Sequence, residues 1–327
     1  MLYLAPAMIL LLVWDVFPIV FAAWISLWDW GIRPNEFIGL ANYERLFDRL
    51  GSLEGGLTVG EFGKSLMVTA FYAIGTVPLS ILFGFLAANL LFQKVRGLGI
   101  FRTAYFLPYI TSTVAAGLAF VWIFNPTVGV ANSVLVRLGF EPQTWLLDPD
   151  PVLMKFLGLF GLSWPSAWPE VLAGPSVALT CVIIFTIWNV VGFNIVILLA
   201  GLSSINPETL DAAKVDGASA YQRMRYVVFP LLSPTLFFLL IISTIRSFQS
   251  FNDIYVLTSG TGGASGASAG GPLNTTLTLP IYMFRHLFER PGSVGYAAAI
   301  TMVLFALLMA LTLVQFWYFR NRVHYES

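Results

Sequence analysis

The stretch NPETLDAAKVDGASAYQRMRYVVFPLLSP, residues 206–234, is a polar and charged island between two long apolar stretches. Connections between packed helices are usually only a few residues long, so an island of this size calls for a purpose. Asn206 is placed to cap a helix, Pro207 fits its first position, and Glu208 suits the positive end of its dipole, which predicts a short helix over Pro207–Val215. Gly217 permits a sharp turn. A second helix is expected over Ala218–Val228, with Tyr221, Met224 and Val228 on one side. Ala212 and Ala213 are small enough for a partner surface to approach closely. Two helices joined by a glycine make a lever between a soluble motor and a helical bundle. The plainer reading is a solvated amphipathic loop, and composition alone does not separate the two.

Composition sets the surroundings of the island. Hydrophobic residues make up 57% of the 327 residues and charged ones 10%, against about 25% charge in soluble domains. Mean hydropathy is +0.80. The chain reads as an all-α integral membrane protein. Lys and Arg balance Asp and Glu at 17 each, so no basic surface points to nucleic acid. Cys181 is the single cysteine, and His286 and His324 lack companions, so neither a disulfide framework nor a histidine metal site is expected. Met1 leads into apolar sequence without a basic leader, which predicts an anchored first span rather than a cleaved signal peptide.

A membrane helix needs about 20 mostly apolar residues. Six candidates satisfy this, at Leu4–Leu27, Leu66–Phe92, Ala104–Phe124, Ser176–Leu202, Thr235–Leu257 and Tyr296–Trp317. The apolar stretch Phe156–Trp168 is short and broken by Pro165, so an interfacial segment is expected there. Lys94, Arg96, Arg102, Lys214, Arg223, Arg225, Arg320 and Arg322 crowd into three short connections, while the same number of basic residues is diluted over 31–65, 125–175 and 258–292. By the positive-inside bias both termini and the 206–234 loop are cytoplasmic. The whole chain, 1–327, reads as a single transmembrane domain containing that loop, which joins spans four and five. The segments 31–65 and 125–175 lie outside with short helices, and 260–272 reads as a Gly/Ser/Ala-rich linker.

Individual positions add detail. Ser80, Gly84 and Ala88 recur at four-residue spacing, the pattern that lets helix backbones approach. Pro108 is expected to kink span three. Gly63-Lys64-Ser65 ends like a phosphate-binding loop, but the required glycine five positions earlier is Thr58, and a membrane span follows. If ATP drives this protein, another chain binds it. In span five, Ser243, Arg246, Ser247, Ser250 and Asp253 recur on one helical face, flanked by Gln249 and Asn252. Span four adds Trp188, Asn189 and Asn194. Polar groups inside spans mark either a pathway or hydrogen bonds between helices. Asp15, in the middle of span one, is expected to be a buried acid with a partner, or to mark a shifted span, since a proton relay has no companions nearby.

The sequences DAAKVDGA (211–218) and FPLLSP (229–234) resemble the EAA loop of binding-protein-dependent ABC importer permeases, of the carbohydrate-uptake type that includes maltose and glycerol-3-phosphate permease components. FIGLANY (37–43), Arg102 to Pro108, FNP (124–126) with Gly129, and DIYVLTSG (253–260) resemble further family segments in the correct order. Asp211 stands where the family usually has glutamate, and 141–175 is long relative to similar chains. The resemblance implies a permease subunit that is not an enzyme and has no catalytic residues. Asp211, Ala212, Ala213, Asp216 and Gly217 would couple it to the ATPase. ATP and Mg would be bound by two cytoplasmic ATPase subunits, with no cofactor or metal in this chain. Its other expected partners are a second permease in a heterodimer, an extracytoplasmic solute-binding protein and membrane lipid. It would sit in a bacterial or archaeal plasma (inner) membrane. A sugar, oligosaccharide or glycerol-phosphate-like solute would meet Trp188, Asn189, Asn194, Arg246, Ser247, Gln249, Phe251, Asn252 and Asp253, where aromatic faces and amides suit a sugar. The alternative from another class is an ion-coupled secondary transporter that uses Asp15, Arg246 and Asp253.

Overall fold

The computed structural model describes residues 2–48, 50–52, 58–92, 97–165, 168–259, 269–290 and 292–320. Lys94, Arg96, Arg322, His324 and residues 260–268 of the expected linker lie outside these. In chain order, α1 (Ala5–Ile25) is followed by the antiparallel pair β1 (Trp28–Trp30) and β2 (Pro34–Phe37), α2 (Ala41–Asp48), and a second small pair, β3 (Gly51–Ser52) and β4 (Thr58–Val59). Then come α3 (Glu61–Phe92), α4 (Leu98–Ile110), α5 (Thr113–Ile123), α6 (Val130–Arg137), α7 (Val152–Leu159) and α8 (Val177–Ser203). The chain continues with α9 (Pro207–Val215), α10 (Ala220–Leu231), α11 (Ser233–Phe248), α12 (Asn252–Thr258), α13 (Leu279–Phe284) and α14 (Val294–Phe319). The two small antiparallel pairs qualify the all-α expectation; residues 31–33 join the strands of the first.

Among the described residues, four helices are long and apolar enough to cross a membrane: α1, α3, α8 and α14. The pairs α4–α5 and α10–α11 are bent by 94° and 64°, and counting each pair as one span gives six. Two expected spans are therefore not continuous helices. Ala104–Phe124 breaks at Thr111 and Ser112, whose ψ angles of 145° and 121° are extended. Pro108 itself stays inside α4. Thr235–Leu257 breaks at Gln249–Phe251, so its polar residues do not share one helical face.

The chain divides into two compact units, residues 1–69 with 277–310, and residues 70–276 with 311–327. In the first, the buried Asn42 donates to the carbonyls of Ser26 and Trp28 at 2.9 and 3.0 Å, tying α2 to the end of α1 and the first hairpin. Arg290 reaches both carboxylate oxygens of Glu61 at 3.2 Å. The apolar side chains of α1 are largely exposed, and Asp15 lies exposed in a π-helical turn, Leu12–Val16. It is not the buried acid expected, because α1 buries no residue there within this chain.

In the second unit, α3 and α8 pack through Phe85, Ala88 and Leu91 against Ile195, Leu198 and Leu202, with Leu232 and Leu239 joining from the region of the α10–α11 bend. Ser80 and Ala88 of the small-residue series are buried here. Within the segment 125–175, polar groups tie together residues 126–155. The Asn132 amide donates to Pro126 and Gln143 carbonyls and accepts from the Gln143 backbone and the Trp145 indole. Buried Asp148 pairs with Lys155. Among the described residues of the expected apolar segment 156–168, only the end of α7 is helical. Ala269 and Gly270, read as the end of a linker, are buried, and Gly270 accepts from the Thr276 backbone at 3.0 Å.

Candidate functional site

The 206–234 island folds by local rules. Asn206 Oδ1 accepts from the Glu208 backbone at 3.0 Å, starting α9. At the other end Gly217 has φ +78°, its N–H bonds the Lys214 carbonyl at 3.1 Å, and Ala218 N–H bonds the Ala213 carbonyl at 3.0 Å. This is a Schellman closure, which needs a left-handed residue and so favours glycine. Ser219 and Gln222 then form a reciprocal capping box that starts α10. The second helix thus begins at Ala220 rather than Ala218, and passes through a π-helical stretch, Met224–Val228. Ala212 and Asp216 are exposed, and Asp211 pairs with Lys214 at 2.6 Å on the surface. Val215, Tyr221 and Tyr226 are exposed apolar or aromatic positions on the same segment. Met224 packs on the α3–α8 core and Val228 belongs to it, while Tyr221 stays outside.

A cavity of about 500 Å³ opens among α3, α4, α8 and the α11–α12 break. Eight of the nine residues expected along a solute path line it: Asn189, Asn194, Arg246, Ser247, Gln249, Phe251, Asn252 and Asp253. The break at 249–251 brings together the six of them between 246 and 253, which one straight helix would spread along its length. Trp188 is the exception. Its ring packs on Phe120 at 5.0 Å and Phe185 at 6.3 Å, and it does not line the cavity.

The cavity also takes Tyr72, Thr76 and Ser80 from α3, Tyr109 and Thr113 from either side of the α4–α5 break, and Thr186 and Phe193 from α8. The first three repeat every four residues on one helical face, a signal present in the sequence and overlooked there, where Ser80 counted only as small. Tyr72 is buried, and its hydroxyl lies 3.0 Å from Thr186 Oγ1, 3.0 Å from Ser250 Oγ and 3.4 Å from Asp253 Oδ2. Ser250 donates to the same Asp253 oxygen at 3.2 Å. Asp253 is thus held by hydroxyl groups rather than by a cation. Arg246 stands apart, with its guanidinium over the Phe193 ring at 4.7 Å and donating to Tyr109 Oη at 3.3 Å. Arg246 and Asp253 do not form an ion pair. Asn189 donates to the Pro108 carbonyl at 2.9 Å, securing the end of α4. Asn194 is 1% exposed, and its Nδ2 has no partner among the described residues. No group of His, Cys, Asp and Glu suited to a metal ion occurs among the described residues.

A helical membrane chain with a polar cavity between broken helices and a closed surface loop is the architecture of a transport component. The chain belongs to the binding-protein-dependent transport system inner membrane components, whose family model matches residues 80–322. It is 32% identical to the lactose transport system permease protein of Rhizobium radiobacter, over 98% of this chain and 94% of that protein. It is 29% identical to the sn-glycerol-3-phosphate transport system permease protein of Agrobacterium fabrum, over 99% and 95%. The trehalose/maltose transport system permease protein of Thermococcus litoralis is likewise 29% identical, over 96% and 90%. Such permeases are multi-pass inner-membrane parts of ABC transporters and not enzymes. A chain of the crystal structure of a bacterial ABC transporter involved in import of the acidic polysaccharide alginate shares the fold. Its TM-score is 0.73 at 19% identity, covering 98% of this chain and 94% of that one.

Proposed function

We propose that this chain is a permease subunit of an ATP-driven importer for a sugar, oligosaccharide or glycerol-phosphate-like solute, working by alternating access. The observation that carries this reading is the cavity: about 500 Å³, within the range of small-molecule sites, edged by amides, hydroxyls and aromatic faces from broken helices. The relatives named for lactose, trehalose/maltose and glycerol-3-phosphate support the solute class.

In this reading 1–327 is one six-span permease domain, each bent pair counting as one span, with both termini and 206–234 on the cytoplasmic side. Asp211, Ala212, Ala213, Asp216 and Gly217 engage one of two ATPase subunits, which bind ATP and Mg. A second permease completes a heterodimer, and an extracytoplasmic solute-binding protein delivers the solute to Asn189, Asn194, Arg246, Ser247, Gln249, Phe251, Asn252 and Asp253. Trp188 packs on Phe120 and Phe185 outside that site. The exposed, self-capped loop favours this reading over an ion-coupled secondary transporter, which gives the loop no role and would lean on Asp15, Arg246 and Asp253.

The test is co-purification of the tagged chain in mild detergent, with mass spectrometry of its companions and ATP-dependent uptake after reconstitution. An ATPase and a second permease should be recovered, and changes at Asp216 and Gly217 should abolish uptake. A lone chain that transports on an ion gradient would overturn the reading.

A further inference from the structure

Two charged side chains line the same cavity without neutralising one another. Arg246 is exposed to it, and no acidic side chain pairs with it among the described residues. Its guanidinium is nevertheless held: one face rests on Phe193 at 4.7 Å, the Tyr109 ring lies 5.8 Å away, and Nη2 donates to Tyr109 Oη at 3.3 Å. The Phe193 ring and the bond to Tyr109 restrain the guanidinium beside the cavity, and a guanidinium held there suits a planar or tetrahedral oxyanion. A fixed charge among membrane helices is costly unless something answers it. Asp253 does not, since it forms no ion pair with Arg246, and its Oδ2 already accepts from Ser250 and Tyr72.

Asn194 supplies a second observation. The residue lines the cavity, and its buried amide nitrogen meets no acceptor among the described residues. Buried donors are normally satisfied, so an acceptor oxygen belongs near it. Asp253, Ser250 and Gln249 offer acceptors and donors for hydroxyls along the same cavity.

We infer that the cavity is built for a polyol or sugar bearing an oxyanion, a carboxylate or a phosphate monoester, with the anionic group on Arg246 and the hydroxyls toward Asp253. This rests on the permease reading above and narrows it: neutral sugars leave the guanidinium unanswered.

The experiment is ATP-driven uptake by proteoliposomes holding the complete transporter, with matched pairs as probes: glucose and glucuronate, cellobiose and its uronic-acid counterpart, glycerol and glycerol 3-phosphate. The anionic member of at least one pair should be taken up in preference to its neutral partner. The uronates and the phosphate ester show which oxyanion is used. Arg246→Gln should lower that preference about 10- to 100-fold, the worth of a hydrogen bond to a charged group. Arg246→Lys should keep part of it, and both variants should assemble with their subunits in normal yield. Preference for the neutral members, equal loss of both members on Arg246→Gln, or uptake of no probe would overturn the inference while leaving the permease reading intact. That reading would fail separately, by the absence of a co-purifying ATPase.

Discussion

Gly84 of α3 and Asn194 of α8 approach so closely that a Cβ built on Gly84 would lie 2.7 Å from the Cβ of Asn194. The neighbouring atom is fixed to the backbone, so a side chain at 84 must push the two helices apart. Gly84→Val is therefore expected to destabilise the protein by about 1–3 kcal/mol, the usual penalty of overpacking. It should also move Asn194 away from the cavity. Thermal unfolding in detergent would show a lowered Tm, and an unchanged Tm would refute the close packing.

Tyr72 holds Ser250 and Asp253 on one side and Thr186 on the other. Tyr72→Phe should leave buried polar atoms without a partner, costing about 1–3 kcal/mol. If the residues act as a network, Tyr72→Phe and Asp253→Asn should be non-additive by about 0.5–3 kcal/mol in a double-mutant cycle. Simple additivity would mean that the hydroxyl and the carboxylate act separately.

The end of α4 depends on a side chain from α8, because Asn189 donates to the Pro108 carbonyl. Asn189→Leu should loosen the α4–α5 bend and raise hydrogen exchange at Thr111 to Thr113. Exchange unchanged from wild type would show that the bend is held by other contacts.

Trp188 gives a contrasting expectation. It packs on Phe120 and stays out of the cavity, so Trp188→Leu should lower stability, by about 2–4 kcal/mol for a partly buried aromatic, while the KM for uptake stays near the wild-type value. A large rise in KM at unchanged Tm would bring Trp188 back to the solute.

Gly217 has φ +78°, which proline, locked near −65°, does not reach. Gly217→Pro also removes the N–H that bonds Lys214. The variant is expected to insert into the membrane in normal amount and to lose ATP-driven uptake. Uptake at the wild-type rate would count against a coupling role for the loop.

The helix Pro207–Val215 was legible to the residue because its punctuation is local: an asparagine cap, a proline at the first position and a glycine after the end. The breaks at Thr111–Ser112 and Gln249–Phe251 were not, because none of these residues is a breaker. Pro108 hinted at the first, but the helix continued past it for two residues. The cavity residues of spans four and five were found because polar side chains in apolar sequence are conspicuous. A tryptophan in a span looks alike in sequence whether it faces a cavity or packs, as Trp188 does, on Phe120. Tyr72 and Thr76 were missed because α3 seemed explained by its small residues alone. Asn42, within FIGLANY, resembled a family segment without a stated role, and its structural task is to bind the end of α1.

Everything that closes the two ends of α9 and starts α10 lies between Asn206 and Gln222. The segment is thus finished from within, its outline set by its own caps. Its exposed side chains at Asp211, Lys214 and Tyr221 take no part in those caps, so they can change without reworking the backbone. From there α10 runs through Met224 and Val228 into the buried core at Leu232.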